Sequence, residues 1–296
     1  MDFGRIDIRG VDFRLPEDAP ITRRRVGQGA ETRGRVYLGC PVWGNKEWVG
    51  EVYPPKTPAK DFLRAYAQHF DTVETNSTFY RLPDRVLMER WAEQVPPHFR
   101  FCVKTPQSIS HAATDFASKR DEIQRFSASL EGLGEKLGLV FLQLPPQLHT
   151  GEKRLLADLL RAFPKDLPLA LELRHPSWFQ DRPQWTRLCD YLASEGRALV
   201  ITDVAGRRDV LHMSVPASYA LVRFAGHALD PSDFSRLDAW AERLAGWMQG
   251  GLERLYFTMH QKRDLDCVPL VRYFAKVLQE RAEGFEVMRP LASLAS

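Results

Sequence analysis

Polar side chains interrupt apolar runs at several places in this sequence, and together they have the chemistry to bind and transform an anion. Three cations, Lys104, Arg174 and Arg223, predict an anion site. Arginine offers a planar fork to phosphate or carboxylate, and lysine adds a point charge. Glu172 and Glu74 are the predicted general acid and base, and Lys104 joins them as a predicted catalytic residue. Either carboxylate could instead be the structural partner of an arginine. The set comprises Glu74, Asn76, Lys104, Gln143, Glu172, Arg174, Asp203 and Arg223.

Aromatic residues and a histidine accompany this set in segments rich in proline and glycine. Trp43, Tyr80 and Trp178 can wall a pocket or stack on a ring of the substrate, and Tyr80 also carries a hydroxyl for hydrogen bonding. His175 lies in the segment His175-Pro-Ser-Trp178. We predict substrate contacts for these four residues, with ordinary loop packing as the alternative.

The elements that must position these residues are eight short apolar runs, most of them followed by a helical pattern. Such an alternation predicts an α/β fold, a TIM-type (β/α)8 barrel, in a single domain. Active sites of these barrels lie at the carboxyl ends of the strands, where the polar residues occur. Period-two alternation puts Glu74 and Asn76 on one face. The predicted strands lie in 36–40, 71–83, 99–104, 139–144, 167–174, 197–203, 219–224 and 254–258, with the barrel at 35–284, an N-terminal extension at 1–34 and a C-terminal tail at 285–296.

Composition restricts the class of protein. The chain has 296 residues, 44% of them hydrophobic, and a net charge of only +3, which does not by itself indicate a nucleic-acid-binding protein. No apolar run reaches the roughly 18 residues that span a bilayer, so we expect no membrane partner. The four cysteines lack any CxxC spacing and no export signal is evident, which favours the cytoplasm.

Other chemistries find little support in the motifs. No nucleotide-binding glycine motif occurs, so the sequence names no cofactor. The histidines lack HExxH spacing, and no metal site is predicted. Cys40 with His175 as its base is an alternative nucleophile.

Several segments, in this order, resemble the domain-of-unknown-function 72 (YecE-like) family. They are GCPVWGNKEWVGEVYP (39–54), YAQHFDTVETNSTFYRLP (66–83), RWAEQVPPHFRFCVKTPQSISH (90–111), LGEKLGLVFLQLPP (133–146), LALELRHPSWF (169–179), ALVITD (198–203) and YALVRFAG (219–226). The resemblance implies a TIM-type barrel but no activity.

Two segments depart from the pattern of that family. The family's GTSGW-like opening is replaced by Gly39-Cys-Pro-Val-Trp43, and its asparagine-rich end of strand eight by Tyr256-Phe-Thr-Met-His-Gln-Lys262. If those asparagines help bind substrate, this member differs in substrate or has lost the activity.

Two functional hypotheses follow. The first is an enzyme of the hydrolase or phosphodiesterase type that acts on an anionic, phosphate-bearing substrate. The second is a protein that binds nucleic acid or another anion without turnover.

Overall fold

A closed ring of eight parallel strands forms the centre of the protein. The computed structural model describes residues 6–27, 33–111 and 119–287. Each strand pairs in parallel with the next, and β1 pairs with both β8 and β2, which closes the ring. This confirms the predicted TIM-type (β/α)8 barrel. The strands are β1 (Gly34–Cys40), β2 (Thr72–Thr75), β3 (Arg100–Lys104), β4 (Leu137–Gln143), β5 (Leu169–Glu172), β6 (Ala198–Asp203), β7 (Tyr219–Ala225) and β8 (Arg254–His260).

Helices surround the ring and follow the predicted rhythm. Asp84, for example, begins one of them by accepting a hydrogen bond from the backbone N–H of Leu87, as an N-cap residue does. Within the described ranges, no helix has the length and apolarity to cross a membrane. The helices are α1 (Pro20–Val26), α2 (Phe62–Tyr66), α3 (Ser77–Tyr80), α4 (Arg85–Glu93), α5 (Gln107–Ser110), α6 (Arg120–Leu130), α7 (Lys153–Ala162), α8 (Ser177–Gln180), α9 (Arg182–Ser194), α10 (Pro231–Gln249) and α11 (Cys267–Gln279). Short 3₁₀ helices lie at Lys46–Trp48, Ala59–Asp61, Glu131–Lys136, Thr150–Glu152, Ala205–Val210 and Asp264–Asp266.

Alternation along the strands separates two cores. One set of side chains fills the barrel, and the other packs between the strands and the helices. The strands are therefore apolar on both faces, as their sequences indicate. Gly39 allows a close approach inside the ring, because a Cβ there would lie 1.9 Å from the carbonyl oxygen of Thr72. The interior set includes Tyr37, Cys102, Leu139, Phe141, Ala170, Ala198, Val200, Leu221 and Tyr256.

Two local features differ from the sequence-based expectation. The second strand ends at Thr75 and α3 begins at Ser77, so Asn76 lies just beyond the strand and not within it. A ninth strand, β9 (Phe285–Val287), pairs with β1 at Gly34–Val36. It falls in the segment for which only a tail was expected.

The described part of the N-terminal extension, residues 6–27, packs on the barrel. The Thr22 hydroxyl donates to the carbonyl of Met213 at 2.6 Å and accepts from the N–H of Val215 at 2.8 Å. The Asp18 carboxylate accepts from Arg243 at 2.7 Å and from the Trp247 indole at 3.0 Å. Buried hydrogen bonds therefore hold this arm against α10 and the segment before β7.

Candidate functional site

Arg223 lies at the centre of a polar cluster at the carboxyl end of the barrel. Its Nε and Nη2 donate to the two carboxylate oxygens of Glu74 at 3.0 and 2.8 Å, and its Nη1 donates to Glu172 at 2.8 Å. All three side chains are at most 2% exposed. The guanidinium thus bridges β2 and β5 across the barrel interior, above the ring of Phe141.

Glu74 is the most heavily bonded group of the cluster. Besides Arg223, its oxygens accept hydrogen bonds from the Asn76 amide and the Thr258 hydroxyl, each at 3.0 Å. The Nε2 atom of His260 lies 3.0 Å from Glu74 Oε2. Thr258 and His260 are two residues apart on β8, so period-two alternation turns both inward.

Glu172 has a parallel arrangement on the other side of Arg223. The Gln143 amide donates to its Oε2 at 2.8 Å, and Arg174 Nε donates to its Oε1 at 3.1 Å. Gln143 and Glu172 are register partners on β4 and β5, which brings their side chains side by side. Arg174 is 23% exposed and is the outer charge of the group.

These ion pairs keep both carboxylates ionised. Burial alone would raise the pKa of Glu74, but Arg223 and His260 outweigh it and hold that pKa well below its ordinary range. Burial acts in the same way on Glu172, and Arg223 with Arg174 nevertheless lowers its pKa to about 2. General acid–base catalysis is most efficient when the pKa lies near the operating pH, so these lowered pKa values do not favour the proton-transfer roles of Glu74 and Glu172, which stay predictions. Both carboxylates fit a positioning role.

Lys104 is the one member of the predicted catalytic set whose pKa lies near neutrality. Burial and the nearby Arg223 lower the pKa of this lysine to about 8, against the opposing pull of Glu74 and Glu172. Its Nζ lies 4.2 Å from the centre of the Phe79 ring. Among the residues that the structure describes, Nζ takes part in no ion pair or hydrogen bond. The ammonium is held beside the cluster by a ring face and not by a carboxylate.

Two polar atoms at this end of the barrel also lack partners within the described ranges. They are Asn76 Oδ1 and the Thr202 hydroxyl, both buried. A buried polar group without a hydrogen bond costs free energy, and functional sites are one place where such groups occur. Asn76 Oδ1 belongs to the side chain that bonds Glu74.

Asp203 is not brought into this cluster. Its oxygens accept from Arg236 at 2.8 Å and from the Trp240 indole at 2.7 Å, both on α10, and it also pairs with Arg208. Ala198 and Val200 face the barrel interior, so alternation along β6 turns Asp203 outward to the helices. The predicted substrate contact is incompatible with this orientation.

The aromatic residues predicted to line a pocket, Trp43, Tyr80 and Trp178, are likewise not brought together. Tyr80 is 81% exposed and points to solvent, because the preceding residue of α3, Phe79, takes the position over Lys104. Trp178 is buried, with its indole N–H on the carbonyl of Leu148 at 2.9 Å. Trp43 packs edge-on against Trp91, with ring centres 5.0 Å apart.

His175 lies in the loop after β5. Its Nδ1 is 2.8 Å from the Ser177 hydroxyl, and it is half-buried at the edge of the mouth. Cys40 is fully buried, and burial together with neighbouring Cys267 raises its pKa well above the ordinary value. The alternative of a Cys40 nucleophile with His175 as base therefore has no support in the geometry.

Thr258 and His260 were not predicted as members of the site. The predicted eighth strand ends at Thr258, whereas β8 continues to His260. Alternation from Tyr256, which faces the interior, was the available signal. Both residues lie in a segment that departs from the pattern of the resembled family, and both reach Glu74.

No group of three or more histidine, cysteine or acidic side chains arranged to hold a metal ion occurs in the described ranges.

Sequence comparison gives one matching family and relatives in two bacteria. The family model described as "Protein of unknown function DUF72" matches residues 37–294. The UPF0759 protein YecE of Escherichia coli K12 is 30% identical over 232 residues, which is 72% of this chain and 82% of that protein. The UPF0759 protein YunF of Bacillus subtilis 168 is 31% identical over 205 residues, or 64% and 70% of the two chains.

Solved structures of two DUF72 family proteins share the fold. The protein from Enterococcus faecalis V583 superposes with a TM-score of 0.68 at 21% identity, covering 82% of this chain and 95% of that one. The protein from Thermotoga maritima MSB8 gives a TM-score of 0.62 at 24% identity, covering 83% and 99%.

Proposed function

The chain belongs to the DUF72 family of proteins of unknown function, and from that premise we propose that it is an enzyme that hydrolyses a phosphate-bearing substrate at the mouth of its barrel. The observation that carries the proposal is Lys104. A buried lysine with a pKa of about 8 and no carboxylate partner in the described ranges is suited to give up a proton near neutral pH.

The charge balance of the cluster supports an anionic substrate. The cluster contains two carboxylates and three cations: Glu74, Glu172, Lys104, Arg174 and Arg223. With Lys104 protonated, and without counting the histidines, its net charge is therefore +1. Arg223 is enclosed by carboxylates, whereas Arg174 is 23% exposed and the buried Lys104 has its Nζ against the Phe79 ring and not against a carboxylate. An incoming phosphate therefore meets Arg174 and Lys104.

The bridge that Arg223 forms between Glu74 and Glu172 has a positioning role. Within the described ranges, Glu74 takes part in at least five hydrogen bonds, made by four side chains, and Glu172 takes part in at least three. Such a fixed set of charges stabilises a developing charge without reorganising during the reaction. Burial is the main cause of the lowered pKa of Lys104; within the bridge, Arg223 adds to that shift and the two carboxylates oppose it.

The proposed step is protonation of the leaving group. Water attacks phosphorus, the bond from phosphorus to the leaving oxygen breaks, and Lys104 donates its proton to that oxygen. The attacking water releases one proton to solvent, and Lys104 recovers one from solvent. The products are an alcohol and a phosphate carrying the new oxygen, so atoms and charges balance.

The test compares Lys104→Met and Lys104→Arg with the parent protein on a panel of phosphomonoesters and phosphodiesters. We expect both variants to lose about 10²-fold or more in kcat/KM, the usual contribution of general acid–base catalysis. For the parent protein, kcat/KM should fall as the pH rises through about 8, since the proton donor is then lost. Lys60→Met, on an exposed residue, is the matched control and should leave the rate unchanged.

Two results would contradict the proposal. One is turnover that persists in both Lys104 variants with an unaltered pH profile. The other is the absence of turnover across the panel combined with nucleic-acid binding of steep salt dependence, which is what a non-catalytic anion-binding protein would give.

A further inference from the structure

A groove lies between α7 and α9 on the helical layer of the barrel. It encloses about 370 Å³. Each helix contributes four residues spaced i, i+3, i+4 and i+7, beginning at Lys153 on α7 and at Gln184 on α9, and α7 adds Arg154. Residues with this spacing share one helix face, so two faces confront each other across the groove.

The floor of the groove is apolar. Leu156 and Leu160 of α7 and Trp178 of α8 line it and are at most 2% exposed. The Trp178 indole N–H already donates to the carbonyl of Leu148, so the polar atom of that ring needs no further partner. Ala157 contributes only a methyl group where a larger side chain would fill the gap.

The rim of the groove is positively charged. Lys153, Arg154 and Arg187 line it, and all three are exposed. Within the described ranges none of them forms an ion pair, whereas Arg161 on the same helix pairs with Asp158 at 2.8 Å. Three unpaired cations around an apolar floor complement a ligand with an apolar body and an anionic head.

We propose that the α7–α9 groove is a binding site for a small amphipathic anion, of the class of a medium-chain carboxylate. Ligand pockets usually have about 300–1,000 Å³, so a groove of this volume suits a small ligand and not a large cofactor. The alkyl body lies along the partly exposed Ala157, Leu188 and Tyr191, with the buried Leu156, Leu160 and Trp178 as the remaining apolar lining, and the carboxylate is held by the cationic rim. This site is independent of the proposed hydrolysis.

Octanoate and 1-octanol are the probes, because they share the alkyl chain and differ in charge. Isothermal titration should give saturable octanoate binding, with 1-octanol at least fivefold weaker. In a ¹H–¹⁵N spectrum the indole signal of Trp178, assigned by its loss in Trp178→Phe, should move with octanoate.

Two variants distinguish the binding of the carboxylate from that of the alkyl chain, and a third is the control. Arg187→Glu should weaken octanoate at least tenfold and leave 1-octanol unchanged, whereas Ala157→Trp should abolish binding of both by filling the groove. Arg64→Glu reverses an exposed charge on α2 and should change neither.

Equal affinity for octanoate and 1-octanol, or octanoate binding unaffected by both Arg187→Glu and Ala157→Trp, would overturn the assignment. The absence of saturable octanoate binding would also overturn the assignment. It would do so too if, in addition, Arg187→Glu changed the oligomeric state on size-exclusion chromatography. That last result would make the groove a contact between copies of the chain.

Discussion

Replacing Arg223 by methionine should destabilise the protein strongly and reverse part of its pH dependence. The substitution leaves Glu74 and Glu172 at most 2% exposed without the guanidinium that bridges them. Breaking a buried ion pair by removing one partner costs about 3–5 kcal/mol. We expect at least that loss in the free energy of unfolding at pH 7, since two carboxylates lose a partner.

The pH dependence follows from the pKa of Glu172. Its fall from an ordinary 4.5 to about 2, at about 1.4 kcal/mol per pKa unit, corresponds to roughly 3 kcal/mol of stability. In the parent protein this contribution is complete above pH 4.5 and is lost as the pH falls towards 2. Burial is the largest single influence on both carboxylates, and without Arg223 we expect it to outweigh the remaining partners, His260 and Arg174, and to raise both pKa values. Their contribution then favours the folded state at low pH and is lost as the pH rises above 4.5.

The difference in stability between parent and variant should therefore be large at pH 7 and shrink towards pH 3. Urea unfolding followed by circular dichroism at a series of pH values measures it, and Arg64→Met, on an exposed arginine, is the control. If Arg223→Met does not fold at pH 7, its unfolding is followed upward from pH 4, where the loss is predicted to be smallest. Either of two results would refute the stabilising role assigned to the ion pairs of Arg223. One is that Arg223→Met lowers the free energy of unfolding by less than 1 kcal/mol at pH 7, and the other is that the loss does not change with pH.

Two further substitutions test other parts of the fold. Asp203→Asn should lower the free energy of unfolding by about 3 kcal/mol, because Arg236 is left buried without its closest carboxylate. On any substrate that the parent protein turns over, kcat/KM should stay within twofold of the parent value. Loss of turnover without loss of stability in urea unfolding would instead support the predicted substrate contact of Asp203. Gly39→Ala should lower the unfolding midpoint by an amount corresponding to about 1–3 kcal/mol, since its Cβ would meet the carbonyl of Thr72. Gly44→Ala, in open space, should have no such effect, and equal midpoints for the two variants would contradict the close approach of β1 and β2.

The sequence was sufficient to predict the barrel because its signals are local. Each strand is an apolar run between turn residues, and the polar ends of β2, β3, β4, β5 and β7 were recognisable as interruptions. Glu74 and Gln143 could be assigned to the mouth on this basis, and the structure brings them into one cluster through Arg223 and Glu172.

What the sequence could not predict depends on the closure of the ring. Whether Arg223 meets a substrate or two carboxylates is decided by strands that are distant in the chain, and Glu74 and Arg223 are 149 residues apart. Which of the three cations of the cluster lacks a carboxylate partner therefore had to be identified from the structure, and within the described ranges it is Lys104. Asp203 was expected at the mouth for a different reason: alternation from Val200, which indicates that Asp203 faces the helices as the structure has it, was available in the sequence but was not applied.

The position of β1 in the ring has a consequence for how the chain folds during synthesis. β1 is the first strand of the barrel to be made, yet it pairs with β8 over Arg35–Gly39 and with β9 over Gly34–Val36. The edge of β1 that pairs with β8, and the Gly34–Val36 part of the opposite edge that pairs with β9, therefore stay open until more than two hundred further residues have been added. Contacts between such distant segments form slowly, and an open strand edge invites pairing with other chains. Ring closure is thus expected as a late, post-translational event, and nascent chains that stop before residue 254 should be the forms most prone to aggregation.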